Sequence, residues 1–165
     1  LVLQQFAGEI AAIEATKFLS WTERKRFPGK DPSIYYLPQT APLHDFYSTD
    51  PSRGLSGGGT VTFVALQLAG FMGVGQVVLL GLDHSFTAQG VPNTTEARPA
   101  PPDRAHFDPS SSSPGVRWQL PDLRRSEGAY RLARQAFEAR GARILDATQG
   151  GKCTVFEKAA LDSLL

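Results

Sequence analysis

The sequence predicts an α/β fold, a Rossmann-like three-layer sandwich with a mainly parallel sheet, built as one domain over residues 1–165. The length of 165 residues is enough for one hydrophobic core without disulfides. A hydrophobic content of 41% with 20% charged residues is ordinary for a globular protein. In the second half, strand-like and helix-like segments alternate, which is typical of parallel sheets. Because the chain begins with Leu1 inside a helix-like pattern, we expect further sequence upstream.

The first third of the chain predicts a helix, two strands and a long loop. Residues 1–15 place apolar side chains at helical spacing, and residues 17–21 and 33–37 are strand-like. Residues 38–59 are rich in Pro, Ser, Asp and Gly, which favours irregular backbone. We interpret this stretch as a functional loop.

The middle of the chain predicts a buried helix followed by a buried strand. Residues 60–72 contain almost no polar side chain, so the helix is expected to be buried on all sides. Gly73 can end it in the left-handed conformation. The apolar run 76–82 is expected to form a strand covered on both faces in a parallel sheet.

The last half begins with a second long loop and then returns to regular structure. Residues 87–115 are rich in proline and serine and predict a surface loop or lid. Residues 121–140 show helical spacing with many arginines on one side. Residues 142–147 predict a further strand, followed by an extended piece at 153–156 and a terminal helical turn.

Composition narrows the classes of partner. A net charge of +1 gives no electrostatic reason to bind nucleic acid, so a small molecule is the expected ligand. The single cysteine, Cys153, cannot form an internal disulfide, which is compatible with a reducing cytoplasm. No apolar run is long enough for a membrane-spanning helix, and we expect a cytoplasmic protein.

A glycine-rich segment ahead of the predicted helix is the most informative local feature. Glycines let a backbone approach a ligand closely, and the start of a helix offers unpaired N–H groups to an anion. The spacing matches neither a P-loop nor a dinucleotide fingerprint. The alternative is a plain turn in which the threonine caps the helix. The predicted phosphate contacts of this glycine loop, residues 56–60, are Ser56, Gly57, Gly58, Gly59 and Thr60.

Asp83 and His84 follow the predicted strand 76–82. Ligands of open α/β sheets bind beyond the carboxyl ends of strands, so both side chains are candidates for a site. Asp83 is suited to a ribose hydroxyl, a substrate ammonium or a hydrated Mg²⁺, and His84 to donation to a phosphate or to action as a base. The alternative is that Asp83 caps the loop and His84 is solvated.

Two further histidines stand beside carboxylates. His106 lies in the predicted lid and is a candidate catalytic base. His44 and Asp45 precede the glycine loop. The arginines of residues 121–140 are expected to be mostly solvated, with one or two near the helix start in reach of a phosphate. No cluster of metal ligands is predicted.

Residues 58–86, GGTVTFVALQLAGFMGVGQVVLLGLDHSF, resemble the signature of the MptE-like domain family, named for an archaeal 6-hydroxymethylpterin diphosphokinase and including motility accessory factors. The resemblance continues at residues 105–107, 122–140 and 144–148. More distantly, the layout is similar to that of bacterial sialyltransferases that use CMP-sialic acid. An Asn-Gly-Pro-Ser-like turn typical of the family is absent from this sequence.

The resemblance implies a nucleotide-dependent transferase, with the glycine loop on nucleotide phosphate or ribose and Asp83 lining the donor site. A glycosyltransferase is favoured, in which His106 or His84 exchanges protons with the acceptor or the leaving phosphate. The alternative is a diphosphokinase acting on a pterin, in which Asp83 helps to hold Mg²⁺. In either case the nucleotide is a substrate, and no tightly bound cofactor is expected. Gly58→Val is expected to abolish nucleotide binding and leave the fold intact.

An alternative from another class is a truncated, non-catalytic binding or assembly module. A missing central strand leaves an open sheet edge, and such edges are commonly covered by a partner or a second copy. The sequence therefore predicts a homo-oligomer or a partner at that edge.

Overall fold

The computed structural model describes residues 2–27, 31–40, 44–85, 90–97 and 117–164. They fall into two compact units. The first unit comprises Leu1–Tyr36 and Phe86–Asp122, and the second comprises Leu37–Ser85 and Leu123–Leu165. The glycine loop, Asp83 and His84 all belong to the second unit.

The described elements follow one another in a mixed helix and strand order. The helices are α1 (Val2–Gln5), α2 (Ala7–Ala11), α3 (Val61–Phe71) and α4 (Leu123–Glu138). The strands are β1 (Lys17–Ser20), β2 (Ile34–Leu37), β3 (Gln39–Thr40), β4 (Leu55–Ser56), β5 (Gln76–Leu79), β6 (Thr95–Ala97), β7 (Arg117–Gln119), β8 (Arg143–Asp146) and β9 (Glu157–Lys158). Short 3₁₀ turns cover Trp21–Glu23, Pro51–Arg53 and Leu161–Ser163.

The sheets are small, and two of them are parallel. In the second unit β3 pairs with β4, and β5, β8 and β9 form a three-stranded sheet in that order, all in parallel. In the first unit β6 and β7 are antiparallel, and β1 pairs with β2. Small parallel sheets combined with helices are compatible with the predicted α/β class. None of the helices in the described ranges is long and apolar enough to cross a bilayer.

Helix α4 confirms the predicted amphipathic segment. Its buried residues recur at helical spacing and face the core, and its arginines lie on the opposite side. Around it the core of the second unit gathers side chains from α3, α4, β8 and the segment before β9. The main members are Phe63, Leu66, Ala129, Tyr130, Ala133, Phe137, Ile144, Cys153, Val155 and Phe156.

Helix α3 differs from the prediction, because only one of its faces is buried. Phe63, Leu66 and Gln67 are buried, while Val61 is 81% and Met72 62% exposed. The helix packs on α4 and β4 along one side. Apolar composition therefore predicted the helix correctly but overstated how much of it is covered.

Strand β5 also differs from the prediction in its surroundings. It pairs with β8 in parallel, as expected, but among the described strands it is the outermost of its sheet, and its residues are partly buried or exposed. Leu80, directly after the strand, is 61% exposed. The last strand, β9, begins one residue after the predicted segment 153–156.

The amide side chain of Gln67 fastens the irregular segment before α3 to the helix. Its Oε1 accepts hydrogen bonds from the backbone N–H groups of Ser48 (3.1 Å) and Ser56 (3.3 Å). Its Nε2 donates to the carbonyls of Ser56 (2.8 Å) and Phe63 (3.1 Å). Since Gln67 and Ser56 are 0% exposed, this amide satisfies backbone groups that water does not reach.

Gln67→Leu keeps the volume of the side chain and removes its polar atoms. We expect a loss of about 2–4 kcal/mol in the free energy of unfolding, because several buried backbone groups lose their partner at once. Urea denaturation of the variant checks this, with Gln135→Leu on the exposed side of α4 as the matched control. Equal stabilities of the two variants would contradict this role.

Candidate functional site

The glycine loop has the backbone of a tight turn that leads into α3. Gly58 and Gly59 have φ of +57° and +73°, the left-handed region that glycine adopts most easily. The Thr60 hydroxyl accepts a hydrogen bond from the backbone N–H of Thr62 at 3.2 Å and so caps the helix. The capping role anticipated for Thr60 is therefore present.

An acidic side chain of the same chain already accepts hydrogen bonds from two donors of this loop. Asp45 Oδ1 accepts hydrogen bonds from Ser56 Oγ at 2.6 Å and from the Gly58 N–H at 3.2 Å. Arg125, in the first turn of α4, donates hydrogen bonds to the same carboxylate through Nε (2.7 Å) and Nη2 (3.0 Å). We call this group the Asp45 clamp. A phosphate bound through Ser56 Oγ and the Gly58 N–H would have to displace Asp45.

The clamp strongly favours the ionised form of Asp45. Hydrogen bonding from the Arg125 guanidinium is the main cause that lowers the pKa of Asp45 from 3.8 to about 2, and Ser56 and the Gly58 N–H add to it against the effect of burial. Only 13% of the Asp45 side chain is exposed. Arg125 thus reaches an anion, as expected of an arginine near the helix start, but the anion belongs to the chain.

Gly58 is needed for packing, which corrects the expectation that Gly58→Val leaves the fold intact. A Cβ atom added at Gly58 would lie 2.4 Å from Phe63 Cδ1 and 2.6 Å from Ala129 Cβ. Both neighbours are buried in the core, where side chains are closely packed. Loss of binding in a Gly58 variant would therefore not distinguish a ligand contact from a damaged core.

Asp83 borders an open cleft at the carboxyl ends of β5 and β8. The cleft has a volume of about 500 Å³. The loop after β5, the loop after β8 and the turn after β9 contribute its walls. Asp83 is exposed, as a ligand-binding carboxylate must be. The described lining residues are Leu80, Gly81, Asp83, Ala147, Thr148, Gln149, Ala159, Ala160, Leu161 and Asp162.

His84 is a packed side chain and not a solvated one. Its Nε2 lies 3.1 Å from Glu127 Oε1 on α4, and 8% of the side chain is exposed. The backbone φ of His84 is +53°, an uncommon value for a residue other than glycine. Tyr130, one turn further along α4, lies near His84, with ring centroids 6.5 Å apart and tilted by 51°, and its hydroxyl donates to Thr60 Oγ1 at 3.3 Å. The start of α4 thus touches both the glycine loop and the segment beside Asp83.

Asp146, at the end of β8, holds the loop that contributes Thr148 to the cleft. The side chain is buried and accepts hydrogen bonds from Lys158 Nζ at 2.5 Å and from the Thr148 N–H at 2.9 Å. Burial acts to raise the pKa of Asp146, but these hydrogen bonds outweigh it and leave the pKa below its usual value. Thr148 in turn accepts from the Leu82 N–H at 2.9 Å, which ties the two loops of the cleft together.

Other predicted residues are not part of this arrangement. His106 and most of the predicted lid lie outside the described residues. His44 is exposed, whereas its neighbour Asp45 is engaged in the clamp. Sequence reasoning missed Glu127 and Tyr130, because one resembles an ordinary surface carboxylate and the other a core aromatic.

Chemically, the second unit offers a cleft with carboxylate, amide and hydroxyl groups and, beside it, an acid–histidine pair. In the described ranges, no group of three or more His, Cys, Asp or Glu side chains is arranged to hold a metal ion. Comparisons with models of protein families, with curated proteins and with solved structures found no match to this chain.

Two glycines of the loop provide a matched pair for testing its packing. Gly58→Ala should lower the free energy of unfolding by about 2 kcal/mol or more, because the methyl group meets Phe63 and Ala129 and the φ is positive. Gly57→Ala should change it by less than about 0.5 kcal/mol, because no atom lies within 4 Å of the added Cβ. Thermal unfolding measures both, and a Gly57 variant as unstable as the Gly58 variant would refute this packing.

The clamp predicts that the stability of the fold depends on pH in the acid range. The pKa of Asp45 is about 2 in the folded chain, against an ordinary value of 3.8. Its contribution to the free energy of unfolding is therefore complete above pH 3.8 and is lost as the pH falls through 2. Because solvent around the exposed Arg125 screens the interaction, we expect Asp45 to contribute about 1–2 kcal/mol to the free energy of unfolding. Asp45→Asn should be less stable than the parent at pH 7, with the gap closing towards pH 2. A gap that stays constant across this range would contradict the assignment.

Proposed function

We propose that this chain is a nucleotide-dependent transferase-like domain of the glycosyltransferase kind, with a Rossmann-like arrangement of its second unit. The observation that carries the proposal is the position of Asp83, an exposed carboxylate in a cleft at the carboxyl ends of parallel strands. In open α/β sheets this is where ligands bind, and an acidic residue there commonly accepts from ribose hydroxyls.

The size and lining of the cleft favour a sugar or nucleoside portion. Its volume of about 500 Å³ lies within the range typical of small-molecule sites. The described lining contains the carboxylates of Asp83 and Asp162 and the amide of Gln149, and it contains no basic side chain. Hydroxyl donors are therefore better matched to this cleft than a phosphate group is.

His84 is the proposed acid–base residue of the transfer. It follows Asp83 directly, and Glu127 fixes the orientation of its ring by a contact of 3.1 Å. A carboxylate partner selects the tautomer of a histidine and leaves the other ring nitrogen to exchange a proton. Its left-handed backbone conformation adds support, because strained residues concentrate at functional sites.

The choice of a nucleotide-dependent transferase comes from the resemblance of residues 58–86 to the MptE-like family, and more distantly to sialyltransferases. In this proposal the glycine loop has a structural role, because the anion that it binds is the carboxylate of Asp45. Contact of nucleotide phosphate with Ser56, Gly57, Gly58, Gly59 and Thr60 stays the competing prediction from the sequence, because the phosphate would have to displace Asp45. A catalytic role for His106 stays a prediction as well. The diphosphokinase alternative requires ATP with Mg²⁺ and a pterin.

A ligand screen tests the proposal. Nucleotide-sugars should raise the melting temperature, because a ligand that binds only the folded state stabilises it by mass action. The screen compares CMP, CMP-sugars, UDP-sugars, GDP-sugars and ATP with and without Mg²⁺. A rise in melting temperature that occurs only with ATP and Mg²⁺ together would favour the diphosphokinase. No rise with any of these nucleotides at millimolar concentration would refute both the glycosyltransferase and the diphosphokinase for this chain.

Asp83→Asn tests the residue that carries the proposal. Replacing the carboxylate by an amide weakens a charge-assisted hydrogen bond to a ribose hydroxyl, so we expect about tenfold weaker binding, or about 1.4 kcal/mol. Calorimetric titration measures the affinity, and Glu138→Gln at the far end of α4 is the control. Unchanged affinity in Asp83→Asn would exclude Asp83 from the site.

A further inference from the structure

The turn that follows β9 forms one wall of the cleft, opposite the wall that carries Asp83. The three-stranded sheet has the order β5–β8–β9, so the loop after β5 and the turn after β9 stand on either side of the loop after β8. Asp83 belongs to the loop after β5, and Leu161 and Asp162 belong to the turn after β9. The cleft therefore has one carboxylate on each of its two outer walls.

Hydrogen bonds fix the path of this turn. The Ala159 N–H donates to the carbonyl of Asp146 at 3.1 Å, which continues the pairing of β9 with β8. Ser163 donates to the carbonyl of Ala160 twice, through its hydroxyl at 2.6 Å and through its N–H at 3.0 Å. Asp162 lies between these bonded residues in a 3₁₀ turn. Its backbone is thus held beside the cleft while its side chain stays exposed.

Neither carboxylate is engaged within the described part of the chain. The side chains of Asp83 and Asp162 have no hydrogen bond or ion pair to another described residue. In contrast, Asp45 and Asp146 are both bonded to cationic side chains. The described lining contains no basic side chain. Because ionised carboxylates only accept hydrogen bonds, a ligand that fits this cleft offers N–H or O–H donors at two separate points.

The two walls also present apolar surface to the ligand. Leu161 is 38% exposed, and Leu80 on the opposite wall is 61% exposed. Ala147 and Ala160 line the cleft as well. Apolar lining with a few polar groups is typical of sites for small molecules. It favours a ligand with a flat, weakly polar face, such as a nucleobase, over a sugar alone.

We propose that Asp162 recognises the base of a nucleoside whose ribose is held by Asp83. Neighbouring strands lie about 4.8 Å apart, so β5 and β9 are separated by about 10 Å, a distance that a nucleoside can bridge. The carboxylate of Asp162 accepts a hydrogen bond from an exocyclic amino group, as acidic side chains do from the amino group of cytosine. The inference rests on the proposed function, because the ribose contact of Asp83 is taken from it.

This contact makes the cleft selective for bases that carry an amino group. Uridine and inosine have a keto oxygen where cytidine and adenosine have the amino group, and a carboxylate repels that oxygen. Cytidine should therefore bind at least about tenfold more tightly than uridine, and adenosine at least about tenfold more tightly than inosine. The members of each pair are nearly equal in size, so the ratio of their affinities isolates this one contact.

The test is calorimetric titration of the full chain with these four nucleosides. Asp162→Asn should bring the affinity ratio of each pair close to one, because an amide donates to a keto oxygen as well as accepting from an amino group. Asp83→Asn should weaken the binding of all four nucleosides by a similar factor and leave the ratio unchanged, because it acts on the ribose. Both positions are exposed, so both variants should keep the fold, which circular dichroism checks.

Three results would overturn the role of Asp162. The first is equal affinity for the two members of each pair in the parent chain, and the second is an unchanged ratio in Asp162→Asn. The third is binding of glucosamine in place of any nucleoside, because the carboxylates would then select a positive charge and not a base.

The proposed function can fail separately. If nucleosides bind with the expected ratio but no nucleotide or nucleotide-sugar raises the melting temperature, the transferase is refuted and the role of Asp162 stands. If nucleotides bind without preference for an amino group, the role of Asp162 is refuted and the transferase stands. If neither nucleosides nor nucleotides bind, both are refuted.

Discussion

The Asp45 clamp is the interaction on which the arrangement of the second unit depends. One carboxylate joins the segment before β4, the glycine loop and the first turn of α4, through Ser56, the Gly58 N–H and Arg125. Close beneath it, Gln67 fastens Ser48 and Ser56 to α3. Without these contacts, a glycine-rich segment would have too much conformational freedom to hold a fixed path.

The clamp also changes how the glycine loop relates to function. A loop of this type before a helix is suited to an anion, and here the chain supplies that anion itself. The bond of Asp45 to Arg125 helps to fix the position of α4, and α4 in turn contacts His84 through Glu127. The ligand chemistry of the proposal accordingly moves to the cleft beside Asp83, where the carboxyl ends of parallel strands meet.

Sequence reasoning predicted several local elements and was wrong about others. The short strands β3, β4 and β6 lie in the segments 38–59 and 87–115 that were predicted to be irregular, because so short a strand leaves no periodic pattern. The surroundings of the elements were predicted poorly. Periodicity located α4, β1, β2 and β8, because spacing of apolar residues is a local property. It could not show that α3 has one exposed face or that β5 lies at an edge, since coverage depends on which strands and helices pack beside them. For the proposed site, the position after a strand selected Asp83 as a candidate, and the structure places this residue at a cleft. The bonds of Asp45 to Arg125, and of His84 to Glu127, join residues 80 and 43 positions apart, so no local pattern reveals them.

The central claim is that ligand enters the cleft while Asp45 keeps the glycine loop occupied. The most direct measurement is a titration of the isotope-labelled chain with CMP or a CMP-sugar, followed through backbone amide shifts. We expect the amides of Gly81, Asp83 and Thr148 to move, and those of Gly57 and Gly58 to stay in place. Shifts confined to Gly57 and Gly58, with Gly81 and Thr148 unchanged, would contradict the account and return the ligand to the glycine loop.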